Sequence, residues 1–331
     1  MKPEHIKEIS LEDLKLYTCN FSNDNLIGNF QFGKVFRGKI NGDHHVTVKV
    51  WMPQTLYTCF PGDNEIRLQA ELIILTETRV KLHPNLPKLI GYCGQGQLAV
   101  VYDLNPIDTL QNFILRDDFT WLQRIKVALQ LACLLQILHY PPPSSDQYLV
   151  RNISPAHIVL DKDYNLVLYD FGMFTGGSLP EVDKENPGRR HLHGCIGYID
   201  GYLSWTDKWF PEMDVFSFGV ILIGLIAKKV FIVEDHSALI GLDLHSLVDW
   251  WAIKEYERRK SVSGENASLV HQTLEADGDF EYADGVEVTK LAMECLEPSA
   301  RDRILIDVVV EDLLKLHVVR DTFSRWALSR L

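Results

Sequence analysis

The sequence lacks an excess of basic residues. Its 331 residues include 33 Lys and Arg against 45 Asp and Glu, which gives a formal net charge of −12. Proteins that coat nucleic acid need a basic surface to neutralise phosphates, so we expect no nucleic-acid partner. Charged residues make up 24% of the chain and hydrophobic residues 46%, which is typical of a globular protein with a large core.

Cysteine pairs and long apolar runs are also missing. The six cysteines include no CxxC pair, which argues against a zinc ribbon or a dense disulfide framework and favours reduced thiols. The first ten residues, MKPEHIKEIS, lack the apolar core of a signal peptide, and Lys2 excludes myristoylation at a glycine. The most apolar stretch, residues 218–227, is too short to cross a bilayer. We therefore expect a cytoplasmic protein with no transmembrane segment.

Apolar periodicity divides the chain into a strand-rich part and a helical part. In the first part it predicts one helix over 65–80, with Ile66 and Ile73 among its apolar positions. The predicted strands are within 26–40, 46–50 and 98–104, with a hairpin over 158–169; the other predicted helices are 121–139, 215–227, 246–258, 286–295 and 308–316. No internal repeat interrupts this plan, which indicates an α+β fold with two lobes.

A glycine-rich turn and a strand lysine are the first candidates for phosphate binding. Gly28 and Gly33 flank a turn between two predicted strands, and the backbone N–H groups of such a turn can bind phosphate oxygens. Lys49 follows in a short strand, where its ammonium suits nucleotide phosphates, and Glu71 on the predicted helix would fix that ammonium. Each of these charges, taken alone, is more typical of a solvated surface.

A second candidate site follows the predicted hairpin. Asp170 precedes Phe171 and Gly172 at the end of a strand, and a carboxylate in that place suits a Mg²⁺ ligand on a mobile hinge. Asn152 lies 18 residues before Asp170, and His157 lies five residues after Asn152. No second histidine or cysteine stands at metal-ligand spacing from His157. We therefore expect His157 to be a hydrogen-bonded loop residue.

In their order and spacing these motifs resemble the protein kinase superfamily over essentially the whole chain, and plant receptor-like and receptor-like cytoplasmic kinases most of all. The similar segments are FSNDNLIGNFQFGKVFRGKI, HPNLPKLIGYC, LAVVYDLNPIDTL and MDVFSFGVILIGLIAKK. The resemblance implies a bilobal protein-kinase-like fold with one kinase domain at about 21–320. The expected parts are an N-terminal extension (1–20), a strand-rich N-lobe with one main helix (21–104) and a helical C-lobe (105–331).

The same resemblance assigns the cofactors and their ligands. Mg²⁺ would be bound by Asp170, and ATP by a set of eight residues: Ile27, Gly28, Gly33, Val35, Lys49, Glu71, Tyr102 and Asp170. Binding of ATP is expected to be weak, because Phe30 replaces the middle glycine of the family's loop and Thr47 replaces a small alanine beside the adenine.

The catalytic loop departs from the family pattern H-R-D-x-K-x-x-N. Asn152 replaces the aspartate that accepts the proton of the substrate hydroxyl, and a carboxamide is not basic near neutral pH. Ser154 replaces the lysine that neutralises the transferring phosphoryl group, and His157 replaces the asparagine that holds a second Mg²⁺. No catalytic set is therefore intact.

The activation segment departs from the pattern as well. With no gap before Asp214, Tyr202 takes the place of the family's A-P-E glutamate, so we expect Arg303 to lack its usual buried partner. Arg189 and Arg190 form a basic pair in this segment, which a bound phosphate, an acidic partner or a solvated loop would explain.

Two short runs, residues 156–161 and 197–200, resemble the ZED-related pseudokinases in particular. That resemblance implies an adaptor in plant immune signalling, which links an NLR receptor to a receptor-like cytoplasmic kinase and is recruited by its partners to the plasma membrane. Two functions stay open: a catalytically impaired scaffold of this kind, or a weakly active ATP-dependent Ser/Thr protein kinase that uses Lys49 and Asp170.

Overall fold

A computed structural model describes residues 6–30, 32–53, 62–140, 148–170, 195–200, 210–232 and 247–321. These residues fold into two compact units. The strand-rich unit contains the described residues up to Leu110 and residues 155–170. The helical unit contains residues 111–154 and the described residues from Cys195 onward. The predicted α+β fold class is confirmed.

The strand-rich unit is built on two sheets. Its described strands are β1 (Lys7–Glu8), β2 (Leu26–Phe30), β3 (Gly33–Ile40), β4 (His44–Trp51), β5 (Lys88–Cys93), β6 (Ala99–Asp103), β7 (Asp108–Thr109), β8 (Ile158–Leu160) and β9 (Leu166–Leu168), and its helices are α1 (Leu11–Tyr17), α2 (Asp63–Thr76) and α3 (Thr78–Lys81). Six strands form one sheet in the order β1-β5-β6-β4-β3-β2, and three form a second in the order β7-β8-β9. β1 pairs parallel with β5, whereas the other pairs are antiparallel.

The N-terminal segment packs against the larger sheet. Ile9 and Leu14 are buried in the core that β3, β4 and β6 share. The backbone approaches closely here, since a Cβ atom on Gly91 would lie 2.6 Å from the carbonyl oxygen of Lys7. Residues 6–20, predicted as an extension, thus contribute to the core, while the domain boundaries themselves stay a prediction.

Helix α2 differs from its prediction in two ways. It ends at Thr76, and Glu77 has an extended backbone that separates it from α3. Ile66 and Ile73, two of the apolar positions that indicated the helix, are 37% and 60% exposed, whereas Ile74 is buried. The buried side instead follows a run of leucines at positions 68, 72 and 75, whose spacing of four and three residues matches one helical face.

The helical unit contains α4 (Leu110–Ile114), α5 (Trp121–His139), α6 (Pro211–Ala227), α7 (Val248–Ser263), α8 (Gln272–Glu275), α9 (Tyr282–Cys295) and α10 (Ile306–Lys315) among its described residues. Helix α5 has its predicted bounds and begins at a capping box of Thr120 and Gln123. Of the described helices, it is the one long and apolar enough to span a membrane by length and composition alone, but 61% of that apolar window is buried inside the protein. Core helices pass the same test.

Candidate functional site

Lys49 on β4 is at the centre of a buried charge cluster in the strand-rich unit. Its Nζ lies 2.7 Å from Oε2 of Glu71 on α2 and 2.5 Å from Oδ1 of Asp170, which follows β9. All three side chains are 0% exposed. The carbonyl oxygen of Tyr169 lies 3.4 Å from the same ammonium. The structure therefore brings together the three charged residues that the sequence placed in one site.

Glu71 is held from its other side by Tyr102 on β6, whose hydroxyl donates a hydrogen bond to Oε1 of Glu71. Burial raises the pKa of Glu71 to about 7; the charge of Lys49 opposes this rise and that of Asp170 adds to it. Burial and the neighbouring Glu71 also raise the pKa of Tyr102 well above its ordinary value. Tyr102 therefore positions a carboxylate from inside the core, with none of its surface exposed.

Two aromatic rings cover the remaining side of the ammonium. The ring centroids of Phe30 and Trp51 lie 4.7 and 4.8 Å from Nζ of Lys49, which is cation–π distance. The rings meet edge to face, with centroids 6.2 Å apart. Gly33 allows this approach, because a Cβ atom there would lie 2.0 Å from the carbonyl oxygen of Val50 and 2.9 Å from the Phe30 ring.

Trp51 was missed in the sequence reasoning. The available signal was its position two residues after Lys49 on one strand, since side chains at i and i+2 point to the same face of a sheet. Its indole Nε1 is buried without a hydrogen-bond partner in the described structure, so this ring contributes through its face and its packing.

ATP, which the kinase family uses with Mg²⁺, takes the donors that this lysine has left beside its glutamate partner, and Lys49 has none left. An ammonium has three N–H donors. In this structure they face Glu71, Asp170 and the Tyr169 carbonyl, and the two aromatic rings cover the rest of the group. The residues present therefore do not fit a nucleotide phosphate at Lys49.

The surroundings of Asp170 do not fit Mg²⁺ either. One carboxylate oxygen is bonded to Lys49, and the other lies 3.5 Å from Nδ1 of His157. Mg²⁺ prefers about six oxygen ligands, whereas this carboxylate already faces an ammonium and an imidazole. Within the described parts of the chain, no group of three or more His, Cys, Asp or Glu is arranged to hold a metal ion.

The other predicted nucleotide-binding positions share the sheet with Lys49. Strand register aligns Gly28, Val35 and Lys49 in one row across β2, β3 and β4. Ile27 and Val35 are 5% and 0% exposed. Thr47 uses its hydroxyl to donate to the carbonyl of Leu104 at 2.9 Å. The assignment of these residues to ATP stays a prediction.

The catalytic loop in the helical unit keeps its support but not its chemical groups. Asp214 on α6 accepts hydrogen bonds from the backbone N–H groups of Val150 and Arg151, at 2.7 and 2.8 Å. Asn152 and Ser154 are 1% and 2% exposed, and the hydroxyl of Ser154 has no partner among the described atoms. The loop is thus fixed in place while neither substituted position offers a base or a cation.

Arg303 has a buried partner, so the expectation that it would lack one was wrong. Its NH1 lies 2.8 Å from Oδ2 of Asp200, with the two side chains 0% and 4% exposed. Arg303 also donates to the carbonyl oxygens of Glu297 and Glu212. The ungapped comparison pointed to position 202, and the acidic partner comes two residues earlier. Several other predicted positions lie outside the described residues: Phe171, Gly172, Arg189, Arg190 and Tyr202.

Comparison with known proteins agrees with this architecture. The family model for protein tyrosine and serine/threonine kinases matches residues 21–232. The chain is 30% identical to the probable serine/threonine-protein kinase PBL2 of Arabidopsis thaliana, over 95% of this chain and 71% of that protein. It is 31% identical to the Arabidopsis kinase PBL34, over 97% of this chain and 62% of that protein, and 28% identical to the Arabidopsis kinase BIK1, over 94% and 76%.

The match to PBL34 thus covers less than two thirds of that kinase, while the match to PBL2 covers more. The strand-rich unit with its Lys49–Glu71 pair, the helical unit with its supported catalytic loop and the family match agree with one another. The chain belongs to the protein tyrosine and serine/threonine kinase family, with close similarity to the Arabidopsis receptor-like cytoplasmic kinases of the PBL group.

Proposed function

We propose that this chain is a catalytically impaired kinase, a pseudokinase, that works by binding other proteins. The observation that carries the proposal is the composition of the catalytic loop, where Asn152 and Ser154 stand in place of the base and the phosphate-neutralising lysine. Loss of a general base alone costs about 10²–10⁴-fold in rate. Loss of the lysine as well takes phosphoryl transfer below detection, although such losses do not add in a simple way.

The scaffold of a kinase is kept, and this supports a binding role. The buried pair of Arg303 and Asp200 and the two backbone hydrogen bonds to Asp214 hold the helical unit around an inactive loop. A chain that had lost its function entirely would have no use for these buried charges, because each needs matched partners to be tolerated.

The partners proposed for this scaffold are a plant NLR immune receptor and a receptor-like cytoplasmic kinase, in the cytoplasm or at the plasma membrane. The basis is the resemblance of residues 156–161 and 197–200 to ZED-related pseudokinases, together with the similarity to Arabidopsis PBL kinases. Affinity purification of the tagged chain from plant tissue, beside tagged BIK1 as a control of the same fold, tests this. Recovery of an NLR and a kinase with this chain but not with BIK1 supports an adaptor, and recovery of neither contradicts it.

The second candidate function is a weakly active Ser/Thr protein kinase. It is favoured by the Lys49–Glu71 pair at 2.7 Å and by the names of the relatives, which are serine/threonine-protein kinases. A labelled-ATP assay with Mg²⁺ and Mn²⁺ discriminates the two functions, with PBL34 as the positive control. Incorporation by the wild type that disappears in Lys49→Ala would establish an enzyme, and no incorporation beside an active PBL34 supports the pseudokinase.

A further inference from the structure

We infer that Phe30 is an internal occupant of the phosphate subsite at Lys49, and that removing its ring opens this subsite to the polyphosphate of ATP. The kinase family implies ATP and Mg²⁺, whereas the side chains around Lys49 do not fit them. The inference goes beyond the proposed function, because it concerns ligand binding and does not depend on whether the catalytic loop works.

The Phe30 ring is packed into the core beside Lys49. Phe30 is the last residue of β2 and is only 5% exposed. Its ring contacts three groups at once: Nζ of Lys49 at 4.7 Å, the ring of Trp51 at 6.2 Å and the ring of Tyr169 at 6.5 Å, the latter two edge to face. A ring held from three sides is a packed part of the core and not a loop residue lying over the site by chance.

The N–H donors of Lys49 are already engaged within the protein. A phosphate oxygen must come within about 2.9 Å of the ammonium to form a charge-assisted hydrogen bond. Glu71, Asp170 and the Tyr169 carbonyl occupy the three N–H directions, and Phe30 and Trp51 lie over the remaining surface. Of these neighbours, the Phe30 and Trp51 side chains are the two that a substitution removes without breaking an ion pair or a hydrogen bond of Lys49, and Phe30 is the one that stands in the glycine-rich turn.

The charges around Lys49 also oppose the binding of a polyphosphate. The ammonium faces two carboxylates, those of Glu71 and Asp170, so the cluster offers no net positive charge to an incoming polyphosphate. Opening the space is then not sufficient alone: a bound polyphosphate must displace Asp170 from the ammonium to gain a donor, and it must bring Mg²⁺ to balance that carboxylate. We therefore expect the opened subsite to require both Lys49 and Mg²⁺.

The matched control is Phe32, which is two residues from Phe30. Its ring is also buried, at 3% exposed, but it stacks on the guanidinium of Arg67 at 3.6 Å. Phe32→Gly therefore removes a buried ring close to Phe30 but none of the groups named above as contacts of Lys49.

Calorimetric titration with ATP and Mg²⁺ compares the wild type, Phe30→Gly, Phe32→Gly and the double variant Phe30→Gly/Lys49→Met. We expect Phe30→Gly to bind ATP at least tenfold more tightly than the wild type, and only with Mg²⁺ present. Phe32→Gly should show no gain, and the double variant should lose it. Equal binding by the wild type, an equal gain in Phe32→Gly, or a gain that survives Lys49→Met would each overturn the inference.

A second measurement keeps the inference testable if Phe30→Gly does not fold. Limited amine acylation of the wild type, read by mass spectrometry, compares Lys49 with the exposed Lys39 and Lys88 on the same sheet. We expect Lys49 to react at least tenfold more slowly than these two lysines, with no further protection by ATP and Mg²⁺. Reaction of Lys49 at the rate of Lys39, or marked protection by ATP, means that the ammonium is open in the wild type and that Phe30 is not an occupant.

Discussion

The strand-rich unit keeps the charged residues of its kinase site, whereas the helical unit has lost those of its catalytic loop. The difference follows from what each group contacts. Lys49 is ion-paired with both Glu71 and Asp170, all three are fully buried, and the ammonium stabilises both carboxylates. Ser154 is uncharged, and its hydroxyl has no partner in the described structure. The retained charges of the strand-rich unit thus have structural partners as well as a place in the family pattern.

The largest loss of stability is expected from Lys49→Met, which breaks the ion-paired cluster of the strand-rich unit. The substitution leaves Glu71 and Asp170 buried without a cation. Removing one partner of a buried ion pair costs about 3–5 kcal/mol. We expect a loss of that size in the free energy of unfolding, measured by urea denaturation.

The control for this loss is Lys39→Met, on the exposed part of the neighbouring strand β3, which should change stability by less than about 0.5 kcal/mol. Equal stability of the Lys49→Met variant and the wild type would mean that Lys49 is kept for chemistry, and the contrast between the two units would fail.

A smaller loss is expected at the buried pair of the helical unit. In Asp200→Asn, Arg303 keeps its hydrogen bonds to the carbonyl oxygens of Glu297 and Glu212. The charged partner alone is removed, so we expect a loss of about 1.5–3 kcal/mol, the contribution of a hydrogen bond to a charged group. Denaturation of both variants side by side tests the ranking. A larger loss in Asp200→Asn than in Lys49→Met would reverse it.

Motifs with fixed spacing predicted the site better than periodicity predicted the packing. Lys49, Glu71 and Asp170 could be grouped because each stands in a recognisable local pattern, and the structure brings them together. The side of α2 that is buried could not be predicted, because isoleucines and leucines occur on both sides, and tertiary contacts select the leucines at 68, 72 and 75.

The missed Arg303 pair has a different cause. Its partner Asp200 is 103 residues away in the sequence, and no local pattern connects two such positions. Only the fold brings them together, whereas the Trp51 ring could have been placed beside Lys49 from its position two residues later on one strand. Long-range pairing is therefore the part of the structure that lay beyond sequence reasoning.

The stability of the Lys49 cluster should depend on pH through Glu71. The pKa of Glu71 is raised to about 7 in the folded protein, mainly by burial, from an ordinary value near 4.5. The folded state then holds a proton that the unfolded state has released, so this group makes stability fall as pH rises from about 4.5 to 7. The slope is at most about 1.4 kcal/mol per pH unit.

Glu71→Gln removes this titration, so the difference in unfolding free energy between wild type and variant should change between pH 5 and 7 and stay constant above about pH 8. Glu65→Gln, on the exposed side of the same helix, is the control and should follow the wild type. Parallel pH profiles for Glu71→Gln and the wild type would show that Glu71 is ionised throughout this range.

The smallest effect is expected from Asn152→Asp, which restores only the base of the catalytic loop. Phosphoryl transfer depends on positioning and charge neutralisation, and groups that act together do little when one returns alone. Ser154 still supplies no cation, and Lys49 still faces two carboxylates and the Phe30 ring. A labelled-ATP assay should therefore find Asn152→Asp no more active than the wild type. Asn152→Asp/Ser154→Lys/His157→Asn should give at most faint autophosphorylation, and adding Phe30→Gly should increase it. Robust turnover by Asn152→Asp alone would mean that the strand-rich unit holds ATP productively, so that its retained charges serve chemistry after all and the two units differ by a single lost base.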